Sequence, residues 1–232
     1  MTEYTADQIT ASVEGIKKYY GKGPNLVKAL DGVSLKIERG KFTMIIGTSG
    51  SGKTTFLNLL GGQDRPTEGK IFVDGTRIDT LREPELAVYR RNKVGFIYQN
   101  FNLIPMLTVR ENILFSQDMG NLKPDPGFFD EITETLGLKD RLDACPGELS
   151  GGGQQKAAIA RALIGRPSLV LADEPTGNLD TKSSQNVLAL LRLMNERYHQ
   201  TIVMITHNLE IAQMADRVLR MEDGKIVSGE AL

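Results

Sequence analysis

Two glycine-rich turns in this chain have the composition to hold phosphate. The first is Gly47-Thr48-Ser49-Gly50-Ser51-Gly52-Lys53-Thr54-Thr55, entered from the apolar run Phe42–Ile46. Glycines let successive backbone N–H groups turn inward at phosphate oxygens, and a helix starting there adds partial positive charge. Lys53 supplies a point charge for the β- and γ-phosphates, and Thr54 a hydroxyl for Mg2+. The strand–turn–helix context completes the phosphate-loop pattern, so the expected ligand is a nucleoside triphosphate. The second turn runs from Leu149 to Lys156 as Leu-Ser-Gly-Gly-Gly-Gln-Gln-Lys. Ser150 is a good N-cap, and Gly151, Gly152 and Gly153 let an anion approach the backbone closely. With no lysine inside the turn itself, this helix start suggests a site completed by another subunit.

A pair of carboxylates belongs with these turns. The apolar stretch Ser168–Ala172 ends in Asp173-Glu174, and in doubly wound sheets the carboxyl ends of strands face the ligand crevice. Asp173 is placed there to hold Mg2+ through water, and Glu174 to polarise an attacking water as general base.

The elements that must position these groups alternate along most of the chain. Residues 1–9 read as a loose tail. Residues 33–38 alternate apolar and polar like a half-buried strand, residues 42–46 form a buried strand, and residues 54–60 form a helix closed by Gly61-Gly62. Residues 70–73 followed by Asp74-Gly75 give a strand and tight turn. From Phe101 to about Leu149 apolar residues fall at helical spacing, with a Pro-Asp-Pro-Gly break at 124–127, which reads as a helical insertion. Alternation then resumes: helix 152–164, strand 169–172, helix 181–198 with Val187, Leu188, Leu191 and Met194 as a core stripe, strand 202–205, and a hairpin around Glu222-Asp223-Gly224.

Bulk composition narrows the partners. The chain has 232 residues, 40% apolar and 25% charged, with a formal net charge of −1. That is the size of one α/β domain with a substantial core, and it lacks the basic stripe of a nucleic-acid binder. The single cysteine, Cys145, excludes an internal disulfide and fits a reducing compartment. No run approaches the ~18 apolar residues of a membrane span, and the polar start of the chain does not resemble a signal peptide. A soluble, cytosolic protein is expected, acting on any membrane through a partner.

In this company the chain resembles the nucleotide-binding subunit of an ABC transporter over residues 12–229. The phosphate loop and the Leu149-Ser150-Gly151-Gly152 signature stand in that family's order, Gln99 matches its Q-loop, Asp173-Glu174 its Walker B strand, Gly177-Asn178-Leu179-Asp180 its D-loop, and His207 its switch histidine. The resemblance implies a P-loop NTPase fold of ABC type in one domain, residues 1–232. Residues 10–99 and 166–232 would form an α/β core with an antiparallel β region, and residues 100–165 an inserted helical subdomain. It further implies ATP and Mg2+, with Gln99 at the metal or attacking water and His207 orienting the water of Glu174. Of the adjacent Tyr19 and Tyr20, the pattern favours Tyr20 for stacking on adenine; on a strand the two face opposite sides. A second copy would close Ser150 and Gly152 over the γ-phosphate in a head-to-tail dimer, with Gly151 and Asp180 also counted among the nucleotide-binding residues. The dimer would drive an integral membrane permease from the cytoplasmic face.

The block Leu60–Pro66 and the run Leu171–Asp180 are similar to the branch of macrolide exporters, lipoprotein-releasing systems, cell-division complexes and peptide-antibiotic exporters. Three roles stay open at this level: transport, signalling through a membrane partner without transport, and a soluble ABC ATPase. The apolar loop Phe101–Leu107 has two readings, a wall of the groove that receives a permease helix or core of the helical subdomain.

Two residues depart from the family's usual signature, Gly153 for Gln and Lys156 for Arg. With Ser150 as N-cap, position 153 is N3, where Gln would bond back to the cap's backbone N–H; glycine forfeits that bond and costs about 1 kcal/mol relative to alanine in a helix interior. Weakened dimer closure is the expected consequence. Gly153→Gln should tighten ATP-dependent dimerisation and raise the ATPase rate; sedimentation and turnover unchanged from the parent would contradict this.

Overall fold

The computed structural model describes residues 6–120, 125–208 and 210–231. Its elements in chain order are β1 (Ile9–Tyr20), β2 (Val27–Glu38), β3 (Phe42–Ile46), α1 (Lys53–Leu60), β4 (Glu68–Val73), β5 (Thr76–Arg77), α2 (Glu83–Lys93) and β6 (Val94–Tyr98). There follow α3 (Val109–Asp118), α4 (Pro126–Thr135), α5 (Gly151–Leu163), β7 (Leu169–Asp173), α6 (Thr181–Tyr198), β8 (Ile202–Thr206), β9 (Arg217–Glu222) and β10 (Lys225–Ala231). An antiparallel sheet in the order β2-β1-β4-β5 lies with a six-stranded sheet in the order β10-β9-β3-β8-β7-β6. In the larger sheet β9, β3, β8, β7 and β6 run parallel and β10 closes antiparallel on β9. Between β6 and β7 the described residues carry helices and 3-10 turns only.

The parallel strands are buried on both faces, as their continuous apolar runs require. Phe42, Met44, Val170, Ala172, Ile202 and Met204 pack on one side with Val187, Leu188, Leu191 and Met194 of α6 and the helices α3–α5. Ile45, Leu169, Leu171, Val203 and Ile205 pack on the other with α1 and the inner face of the antiparallel sheet. Alternation along each strand feeds two cores at once.

Some expectations need correction. Residues 1–5 lie outside the described residues, but the proposed tail does not extend to residue 9: Ala6–Gln8 form a 3-10 turn and Ile9 opens β1. The strand expected at residues 33–38 begins at Val27. The Pro-Asp-Pro-Gly stretch contains a helix start as well as a break; Pro124 is outside the described residues, while Asp125 caps α4, accepting from Gly127 N at 3.0 Å. No helix among the described residues is long and apolar enough to cross a membrane.

Asp74, in the β4–β5 turn, joins the two sheets. Its carboxylate accepts from Arg39 Nη2 at 2.9 Å, Lys93 Nζ at 3.0 Å and Ser168 Oγ. Burial alone would raise its pKa; the bonds from Ser168, Lys93 and Arg39 outweigh it and hold the carboxyl below the ordinary aspartate value. A depressed folded-state pKa gives stability that is present above the unfolded value and lost as pH falls through the folded one. Asp74→Asn should therefore lower stability at pH 7 by about 1–2 kcal/mol, the exposed Arg39 and Lys93 limiting the figure. Urea midpoints of variant and parent should converge as pH drops below about 4; a gap independent of pH would contradict the ion-pair account.

Candidate functional site

The register of the parallel strands assembles the site. Tyr98 stands opposite Asp173, Asp173 opposite Ile205, and Ile46 opposite Thr206. One step beyond Tyr98, Asp173 and Ile46 lie Gln99, Glu174 and Gly47, and one step beyond Thr206 lies His207, so four segments distant in sequence leave the sheet along one edge.

The phosphate loop at that edge is wedged beneath the antiparallel sheet and the β9–β10 turn. A Cβ on Gly47 would collide with the Met221 carbonyl, and one on Gly52, at φ +101°, with the Ala29 carbonyl. Only glycine fits at these two positions. Gly224 ties the loop down: its N–H donates to Ser51 O and its carbonyl accepts from Asp31 N, both at 3.0 Å. Lys53 is curled into the loop, donating Nζ to Thr48 O at 2.7 Å, Gly47 O at 3.0 Å and Ser51 Oγ at 3.3 Å. Burial lowers its pKa against the opposing pull of Glu174 and Asp173. An ammonium held in reserve on its own loop carbonyls can be handed to phosphate oxygens at little desolvation cost.

Thr54 Oγ1 lies 3.4 Å from Asp173 Oδ1. Burial, then the neighbouring charge of Glu174, raise the Asp173 pKa. Glu174 sits at φ +45°, in the left-handed region where a glutamate is strained. Its N–H donates to Ile205 O at 3.1 Å, and its Oε2 lies 3.0 Å from His207 Nδ1. The strained turn thus points a carboxylate at the imidazole of the next strand. A cleft of about 670 Å3 runs past these groups, lined by Ser49, Gly50, Gly52, Lys53, Thr54, Thr55 and Glu174, with Val27, Lys28 and Val227 on its outer wall.

Gln99, Asp180 and Tyr20 do not line that cleft. Gln99 is held against the 177–180 turn: its Nε2 donates to Asn178 Oδ1 at 3.2 Å, and Asn178 Nδ2 returns a bond to Gln99 O at 3.2 Å. Asp180 caps α6, its carboxylate accepting from Ser183 N at 2.9 Å and Ser183 Oγ at 2.6 Å. Tyr20 is 42% exposed and donates its hydroxyl to Asp64 Oδ2 at 2.7 Å, while Tyr19 donates to Asp31. Lys18 covers one face of the Tyr20 ring. Asn178, which carries no charge and is marked in the sequence only by its place in the turn, is the side chain that holds Gln99 there.

The second glycine turn forms a site of its own. Ser150 Oγ accepts from Gly153 N at 3.2 Å and caps α5. Gly151 packs toward Leu179 and Phe101, and Gly152 toward Ser183. A separate cleft of about 400 Å3 borders it, lined by Arg141, Glu148, Ser150, Gly152, Gly153 and Lys156, and shares no lining residue with the phosphate-loop cleft. A third cavity of about 710 Å3 opens at Gly40, Lys41, Ser168 and Thr201. Those residues mark the amino ends of the strands, away from the loop and the carboxylates, so it takes no part in this chemistry.

The described residues contain no cluster of three or more His, Cys, Asp or Glu suited to a metal. A hydroxyl and a half-buried carboxylate, Thr54 and Asp173, beside an anion cradle instead fit Mg2+, which is held by one or two protein oxygens together with substrate phosphates.

Comparisons with known proteins agree with this geometry. A family model described as "ABC transporter" matches residues 30–177. The lipoprotein-releasing system ATP-binding protein LolD 2 of Chlorobaculum tepidum is 44% identical over 218 residues, covering 91% of this chain and 88% of that protein. The macrolide export ATP-binding/permease protein MacB of Rhodopirellula baltica is 44% identical over 216 residues; the match covers 91% of this chain but only 32% of that longer protein. Among solved structures, the dimeric ATP-binding cassette MJ0796 in a post-hydrolysis state with ADP and Pi superposes with a TM-score of 0.86 at 37% identity, covering 96% of this chain and 98% of the other.

Proposed function

Because this chain belongs to the ABC transporter family and is an ATP-binding, ATP-hydrolysing subunit, we propose that its phosphate-loop cleft is half of a composite site. The Leu149–Gly152 turn of a second copy would complete it. The observation that carries this reading is the separation of two anion-ready turns into clefts with no residue in common. A head-to-tail pair of copies brings each loop against the other's signature.

In this arrangement Gly47–Thr55 wrap the phosphates, and Lys53 leaves its loop carbonyls for the γ-phosphate. Ser150, Gly151 and Gly152 of the facing copy donate to that same phosphate. Thr54, and Asp173 through water, would hold Mg2+ with Gln99 near it, and the ion would supply charge neutralisation on the phosphate oxygens. Glu174 accepts a proton from the attacking water, and His207, 3.0 Å away, orients that carboxylate and meets the γ-phosphate. The open face of Tyr20 stacks on adenine, beside the apolar wall of Val27 and Val227. Asp180, occupied as a cap, shapes the start of α6 at the dimer face.

The work is delivered to a separate membrane permease, with this subunit peripheral on its cytoplasmic side. Relatives named for macrolide export and lipoprotein release support an exporter or a machine that relays mechanical strokes. Met106 is 87% exposed, which removes it from the helical core and favours the first reading of its loop, a wall of the groove for a permease helix. Leu103 of the same loop packs inward.

Glu174→Gln should lower steady-state turnover by about 10²–10⁴ while ATP binding persists. Phosphate release measured alongside a fluorescent-nucleotide titration checks both, and turnover within a few fold of the parent would exclude Glu174 as the base.

A further inference from the structure

Helix α5 starts at the signature turn and runs along the segment that leaves β6. Two of its side chains grip that segment on either side of Gln99. Upstream, the fully buried Gln155 donates Nε2 to Tyr98 O at 3.4 Å and to Pro175 O at 2.7 Å, and its Oε1 has no partner. Downstream, Arg161 donates Nη2 to Phe101 O at 2.9 Å and Nη1 to Asn102 O at 2.6 Å.

Those two carbonyls belong to consecutive residues in the left-handed region, Phe101 at φ +61° and Asn102 at φ +50°. For a phenylalanine that conformation is strained and persists only where its surroundings impose it. Among the described residues no carboxylate pairs with Arg161. A half-buried guanidinium without a counter-ion needs its donors met by other acceptors. Each problem answers the other. The planar fork of the guanidinium is satisfied by two carbonyls that only the left-handed turn presents side by side. A residue selected for packing alone would need neither charge nor fork.

We propose that Arg161 is a positioning residue for Gln99, holding the 101–102 turn so that the signature helix and the Q-loop move as one piece. Engagement of Ser150 by the other copy's nucleotide would then be transmitted along α5 to the Gln99 of the same chain. The proposal rests on the reading that Gln99 serves the metal or the attacking water.

The test uses the full chain with ATP and Mg2+. Arg161→Met keeps an unbranched stem and removes the fork; it should lower kcat about tenfold and leave KM for ATP within about twofold, since the phosphate loop is untouched. Asn102→Gly alone should stay within about twofold of the parent, and in the Arg161→Met background it should restore kcat at least about threefold, because glycine takes positive φ freely. Amide hydrogen exchange across residues 99–107 should rise in Arg161→Met and fall again in the double variant. Should Arg161→Met not fold, Arg161→Lys, able to reach one carbonyl, serves the same cycle with a smaller loss. A double variant no better than the single one, with exchange at 99–107 unmoved, overturns the proposal. If Gln99→Ala leaves kcat unchanged, it is the reading of Gln99 that fails, and the exchange cycle still decides whether Arg161 holds the turn.

Discussion

The in-register parallel pairing of β6, β7, β8 and β3 is the constraint on which the rest of this structure depends. It aligns Tyr98, Asp173 and Ile205, and in the next pair Thr206 with Ile46. A strand shifted by one residue would exchange its two buried faces and move its terminal side chain off the row. Two apolar cores, one on each face, make such a slip prohibitive. The hydrophobic effect thus sets catalytic geometry at a distance: Ile202, Met204, Val203 and Ile205 pack in opposite directions, and His207 arrives beside Glu174 as a result.

Much of this was legible in the residues. Strand β3, helix α1, strand β7 and helix α6 stand out because their periods are clean and their ends carry glycine, carboxylate or cap. Ser150 could be recognised as a cap because serine before three glycines has little else to do. Other parts were hidden for physical reasons. Helix α2 buries only Leu86 and Tyr89, so its charged sequence shows no stripe. In β1 the pairing register shifts between Val13 and Ile16, with Gly15 at φ +56°, and the bulge breaks the alternation that marks a strand. The grips made by Asn178, Gln155 and Arg161 depend on carbonyl positions, which no side-chain pattern encodes.

Gly153 donates its N–H to the Ser150 hydroxyl, so the cap survives without the usual glutamine, and what is missing is the reciprocal bond to the cap's own N–H. A Cβ at Gly153 would lie 3.3 Å from Leu149 Cβ, tight but free of any backbone clash. The backbone donors of Gly151 and Gly152 do not depend on that bond, and the departure concerns the stiffness of the helix start that presents them. Of the seven described non-glycine residues at positive φ, Glu174, Phe101 and Asn102 lie on either side of the nucleotide edge. These are the segments that leave the sheet where β7 and β6 end, and each is held by a partner from a different element.

On the proposed function, each ATP site is shared between two copies, one giving the phosphate loop and the other the Ser150 turn. Mixing two inactive proteins, Lys53→Ala and Ser150→Arg, measures this directly. A heterodimer of the two contains one site with both defects and one with neither, so the mixture should regain ATPase activity well above the sum of its components. Activity no greater than that sum, with heterodimers demonstrably formed, would contradict a site built across the interface.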